Sequence, residues 1–149
     1  MDGQREEQDQ RLDELTSELR VIIPGVTVLF AFLITVPFAA GFGGLSPVDR
    51  TAYFVAFLAT AFAIVLLVGE SAYHRLRGHP YDKGLMLRTA TRQAVAALAL
   101  LCVALAAVVF LVADVVYDRT VASFAGGLVL VAATLTWFGL PLARRLRGR

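Results

Sequence analysis

The sequence predicts an all-α fold: an integral membrane four-helix bundle preceded by an N-terminal cytoplasmic helix. Three observations carry that prediction. Of 149 residues, 58% are apolar and only 17% are charged, whereas a soluble domain carries roughly 45–50% and roughly 25%. That balance excludes an ordinary soluble domain, a disordered tail and a disulfide scaffold. The charges are also clustered. No Asp, Glu, Lys or Arg lies between Arg20 and Asp49, Arg50 and Glu70, Arg92 and Asp114, or Arg119 and Arg144, which leaves uncharged runs of 28, 19, 21 and 24 residues. About 20 helical residues cross the hydrocarbon layer, so the four runs predict four spans, near 22–40, 51–69, 93–113 and 121–140. A soluble bundle would need a polar face on each helix, and these segments are apolar all round. Finally, twelve of the fourteen basic residues fall before the first run, in the middle connection or in the C-terminal tail, against Arg50 and Arg119 in the other connections. By the positive-inside rule both termini and the middle connection are cytoplasmic, which an even number of spans requires.

The chain divides into an acidic amphipathic cytoplasmic helix, residues 1–20, and a four-transmembrane-helix domain, residues 21–149. In the leader, Leu12, Leu15, Leu19 and Ile22 are spaced 3, 4 and 3, the seam of a short coiled coil. Docking on the membrane or on the basic middle connection is the plainer expectation. Its acidic, polar start does not read as a cleaved signal peptide.

Pro24 and Pro37 flank the first span and are candidate hinges, because neither offers an amide to the carbonyl four residues earlier. Gly41–Gly44 predicts a flexible connection. Ser46-Pro47-Val48-Asp49 then reads as a helix start, with a capping serine, proline at the first helical position and aspartate at the third. That helix should run to about Arg77, where Gly78 and Pro80 stop it. Asp82 and Asp118 are placed to cap the third and fourth helices. Tyr53 and Tyr117 are expected at the outer interface, with Tyr73 and Trp137 at the inner one. Cys102 with Ala106, and Ser123 with Gly127, have the four-residue spacing that lets helices approach closely. Packing within the protomer is preferred for these, and a homo-oligomeric seam stays open.

Chemistry is sparse. No ionisable residue lies at the centre of a span, where one would mark a functional site. The nearest case is a cluster at the inner interface, Glu70, His74 and Arg75, in which Glu70 and His74 share a helix face. Glu-x-x-x-His resembles half a metal site or a proton relay. Only His79 and Asp82 offer further ligands nearby, so a carboxylate satisfied by Arg75, Arg92 or the histidine is preferred and no metal is expected. The lone Cys102 cannot form an intrachain disulfide and reads as a packing residue. Span hydroxyls (Thr27, Thr35, Thr60, Thr134 and Thr136) can bond back to their own helices. Without a phosphate loop, a paired-histidine motif or a nucleophile–base pair, neither an enzyme nor a cofactor is expected.

The run Leu-Asp-Glu-Leu-Thr-Ser-Glu-Leu-Arg-Val-Ile-Ile-Pro-Gly-Val-Thr-Val-Leu-Phe-Ala-Phe-Leu-Ile-Thr-Val-Pro-Phe (12–38), with Tyr73-His74-Arg75, resembles an uncharacterised family of small four-span membrane proteins found mainly in actinobacteria. The resemblance implies location and topology, and no activity. Thirteen arginines against one lysine also fit a GC-rich bacterial genome. The expected partners are the bilayer, whose anionic inner-leaflet lipids suit the basic loops, and either further copies of the chain or another membrane protein; nucleic acid is not expected. The sequence thus predicts a multi-pass protein of the plasma (cell inner) membrane, non-enzymatic, with a structural or interaction role and self-association. The alternative is a small homo-oligomeric ion channel or transporter.

Overall fold

Prolines, glycines and caps set the helix boundaries. The computed structural model describes residues 22–76 and 83–139, side chains at 70–88 and 90 excepted. Helix α1 is Ile22–Phe38, its last turn (Val36–Phe38) tightened to 3-10 geometry. A second 3-10 turn, Phe42–Gly44, leads to α2, Pro47–Leu76. Helix α3 is Lys83–Val116. Helix α4 is Arg119–Thr134, prolonged by one π-helical turn, Leu135–Gly139. The helix expected over 1–20, the stop at Gly78 and Pro80, and the Asp82 cap lie outside the described residues.

Among the described residues, three stretches are long and apolar enough to cross a membrane: Pro47–Gly69, Thr91–Val116 and Arg119–Gly139. The first two extend beyond the charge-free runs inside them, 51–69 and 93–113, and the third begins one residue before the run 120–143. The cap of α2 starts that helix at Pro47, one turn before residue 51, and the cap of α4 starts it at Arg119. The described part of α1 is shorter and is not among the three. It also stops before Ala40, the expected end of the first span. Pro37 has no amide for the regular helical bond, the last turn tightens, and Ala39 is already extended at φ −71°, ψ 141°.

The two predicted caps are present at α2 and α4. Ser46 and Asp49 hydrogen-bond reciprocally at the start of α2: the Asp49 amide donates to Ser46 Oγ, and the Ser46 amide donates to Asp49 Oδ2. Asp118 Oδ1 accepts from the amides of Thr120 (2.7 Å) and Val121 (3.0 Å). Only Tyr117 and Asp118 separate α3 from α4, so these helices form a tight hairpin.

The buried positions follow a heptad rhythm. In α2, Asp49, Tyr53, Ala56, Thr60, Ala63 and Leu67 lie at steps of 4, 3, 4, 3 and 4, with Ala59 buried beside them. In α3, Ala97, Leu101, Ala104 and Leu111 follow the same seam, the spacing of left-handed helix packing. Val26 of α1 meets Ala63, Leu67, Ala97 and Leu101, with Trp137 at its edge. Leu33 of α1 meets Tyr53, Ala56 and Leu111. Helix α4 packs against α3. Small residues fill the seams while bulky ones face outward: Phe32, Phe54, Phe62, Phe124 and Leu128 are all more than half exposed. Water would not tolerate that distribution in a soluble bundle, whereas hydrocarbon accommodates it.

Candidate functional site: a charged clasp at one end of the bundle

The start of α2, the end of α3 and the start of α4 meet at one end, and each brings a charge. Asp49 suits its position, since a carboxylate in the first turn meets the positive end of the helix dipole. Asp114 near the end of α3 and Arg119 at the start of α4 each oppose the dipole of their own helix, and the structure pairs them. Arg119 Nε lies 3.1 and 3.0 Å from the two Asp114 carboxylate oxygens, and Nη2 donates to Oδ2 at 2.6 Å. The same Nη2 donates to Ser46 Oγ at 3.2 Å and stands 3.9 Å from Asp49 Oδ1. Ser46 in turn donates its hydroxyl proton to Asp49 Oδ2 at 2.6 Å. The guanidinium lies 5.7 Å from the Phe110 ring centroid, within cation–π range. One arginine therefore joins three helix ends.

Arg119→Ala is expected to lower the thermal unfolding midpoint in mild detergent, because it leaves two enclosed carboxylates without their counter-charge. Arg119→Lys should fall between the two forms, since an ammonium keeps the charge but not the forked geometry. Equal midpoints for all three forms would show that the clasp adds nothing to the fold.

Beside the clasp, Tyr53 joins α1 to α2. Its hydroxyl donates to the Leu33 carbonyl at 3.0 Å, and its ring packs edge-on to Phe42 and stacks with Phe57. Sequence reasoning expects Tyr53 at the outer membrane–water interface; its side chain is buried within the protomer. The reason lies four residues beyond Leu33. Position 37 is the proline without an amide, and the tyrosine supplies the missing donor.

The candidate residues read from the sequence fall in several places. The backbone of α2 runs through Glu70, His74 and Arg75, but their side chains lie outside the described residues. Pro37 sits in the tightened last turn of α1 beside the Tyr53 bond. Pro24 is exposed in the first described turn of α1, and the Arg20 carbonyl it would leave free is outside the described residues. Cys102 is buried, and Ala106 faces α4. Ser123 and Gly127 point away from the protomer core: Ser123 bonds back to the Arg119 carbonyl, and nothing lies within 4 Å of a Cβ placed on Gly127. Within the protomer the close approach instead uses Ala122 and Gly126, one position earlier. Among the described residues no group of three or more His, Cys, Asp or Glu is placed to hold a metal.

Asp114 and Arg119 were not singled out from the sequence as a pair. Their signal is an acid in the last turn of one helix and a base in the first turn of the next, five residues apart and both opposed to the dipole preference. In comparison with known proteins, the model of a family of unknown function (DUF6328) matches residues 2–141. No curated protein and no solved structure matches the chain.

Proposed function

The chain belongs to the DUF6328 family of unknown function, and from its fold we propose a non-enzymatic, four-span protein of the bacterial cytoplasmic membrane that acts by association within the bilayer. The observation that carries this reading is the distribution of side-chain size, with small residues in the seams and large apolar ones outside. The exposed face of α4 is the least covered of the three long apolar helices. It presents Phe124, Leu128, Val131 and Leu135 around the small Ser123 and Gly127, a texture suited to a neighbouring helix. An apolar groove of about 480 Å³ between Val48, Thr51 and Val55 of α2 and Ala107 and Phe110 of α3 adds a second lipid- or helix-sized recess.

Twelve basic residues against two favour an orientation with both termini in the cytoplasm beside anionic lipids. Hydroxyls of Thr27, Thr35, Thr60 and Thr136 are returned to carbonyls of their own helix. This favours association over a hydroxyl-lined conduction path.

Gly127→Leu tests the association. Because the site is open within the protomer, the variant should keep the unfolding behaviour of the parent while losing an oligomer resolved by native mass spectrometry in mild detergent. An unchanged oligomer, or a parent that is already monomeric, removes the reading. Ion flux into liposomes containing the parent protein would point instead to a channel.

A further inference from the structure

A groove opens beside the clasp. Its walls are Pro47, Val48, Thr51 and Val55 of α2 with Ala107 and Phe110 of α3, and it encloses about 480 Å³. From Val48 to Val55 it follows α2 for about 10 Å, starting in the first turn of that helix. The Thr51 hydroxyl donates to the Pro47 carbonyl at 2.9 Å, so the walls are apolar. Phe110 is also the ring beneath the Arg119 guanidinium, which gives the groove one polar end.

That end has a donor and an acceptor to spare. The Arg119 side chain is 48% exposed. Its Nε and Nη2 serve Asp114 and Ser46, while Nη1 donates to none of the described residues. The adjoining Asp118 is exposed and caps α4 through Oδ1, which leaves Oδ2 without a partner among the described residues. Asp49, Asp114 and Asp118 outnumber Arg50 and Arg119 here, and Arg50 is turned to the Gly43 carbonyl at 2.8 Å. A purely anionic headgroup would add charge of the sign already in excess. A headgroup that couples a phosphate to an ammonium answers both the guanidinium edge and the surplus acid.

We propose that the groove holds one acyl chain of a zwitterionic, amine-bearing phospholipid, with the phosphate accepting from Arg119 Nη1 and the ammonium donating to Asp118 Oδ2. Hydrocarbon already solvates apolar surface in a bilayer, so the chain gains only packing in the groove. The headgroup therefore sets the selectivity, and the groove sets the stoichiometry at one lipid per chain. The site rests on the membrane reading above and is independent of self-association.

Native mass spectrometry of the full chain, with equimolar phosphatidylethanolamine and phosphatidylglycerol of identical acyl chains, tests this. The parent should retain one phosphatidylethanolamine per protein copy, about fivefold in preference to phosphatidylglycerol, the upper worth of one exposed ion pair. Asp118→Asn keeps an oxygen for the cap but removes the charge, and should bring the two lipids level. Val55→Trp fills the groove and should cut retention of either lipid about tenfold. Val65→Trp should change neither, because Val65 is 63% exposed on α2 outside the groove. Equal retention of the two lipids by the parent, or an excess of phosphatidylglycerol, would overturn the proposal. So would a preference that survives Asp118→Asn, or full retention in Val55→Trp; the headgroup comparisons stand even if Val55→Trp fails to fold. The same spectra count protein copies and bound lipids separately, so a monomer that keeps its lipid supports this site while removing the association reading alone.

Discussion

Gly126→Leu should be the most damaging glycine substitution, lowering stability by about 3 kcal/mol, toward the upper end of the usual cost of overpacking. A Cβ at position 126 would lie 3.0 Å from the Ala106 carbonyl oxygen and 3.1 Å from Phe110 Cβ. The first of these is backbone of α3 and cannot rotate aside, so the whole α3–α4 contact has to open. Gly126→Ala should cost less, about 1 kcal/mol, because the clash is partly offset by the better helix propensity of alanine. At Gly127 a Cβ meets nothing within 4 Å, and Gly127→Leu should leave the protomer's midpoint near that of the parent. Thermal unfolding of the three variants, followed through the fluorescence of the single tryptophan, Trp137, checks the order. Similar midpoints for Gly126→Leu and Gly127→Leu would mean that α3 and α4 do not meet through Gly126. The same substitution also tests the link between packing and the clasp. Phe110 touches the position-126 Cβ and also lies beneath the Arg119 guanidinium, so spreading the hairpin should pull Arg119 from Asp114.

How much of this was legible beforehand depends on the range of the interaction involved. The helical class, the three long apolar helices, the start of α2 at Pro47 and the Asp118 cap follow from signals within a few residues: charge-free runs, prolines and capping side chains. The face of α4 that meets α3 was not legible. Ser123–Gly127 and Ala122–Gly126 have the same four-residue spacing, and one residue corresponds to about 100° of rotation. Only the partner helix decides between them. The clasp was half legible, since Ser46 and Asp49 announce a cap, but the arrival of Arg119 from 73 residues away depends on how the α3–α4 hairpin lies across α2. For Tyr53 the hydrogen-bond partner was not legible. A tyrosine near a helix start reads as an interfacial residue, yet a proline in the preceding helix leaves a carbonyl that only a side-chain donor can reach. Pairing each helix-terminal proline with the carbonyl four residues earlier would have raised the question.

That carbonyl sets the last expectation. Tyr53→Phe keeps the ring and its stacking with Phe57 but removes the donor to Leu33. The cost should be about 1–3 kcal/mol, that of a buried carbonyl left unpaired, in surroundings where no water can replace the bond. On its own this loss would not separate a specific role from general disturbance of a buried aromatic. A double-mutant cycle with Pro37→Ala does. Alanine at position 37 restores an amide four residues beyond Leu33, so α1 can satisfy its own carbonyl and continue past the present 3-10 turn. On that background Tyr53→Phe should cost a few tenths of a kcal/mol at most, giving a coupling of about 1 kcal/mol or more between residues that exchange no hydrogen bond with each other. Equal costs of Tyr53→Phe in both backgrounds would show that the hydroxyl does not compensate the proline. A strong coupling would make Pro37 and Tyr53 one device: the proline bends the chain out of α1 toward Phe42–Gly44, and the tyrosine keeps the bend from exposing a bare carbonyl to hydrocarbon.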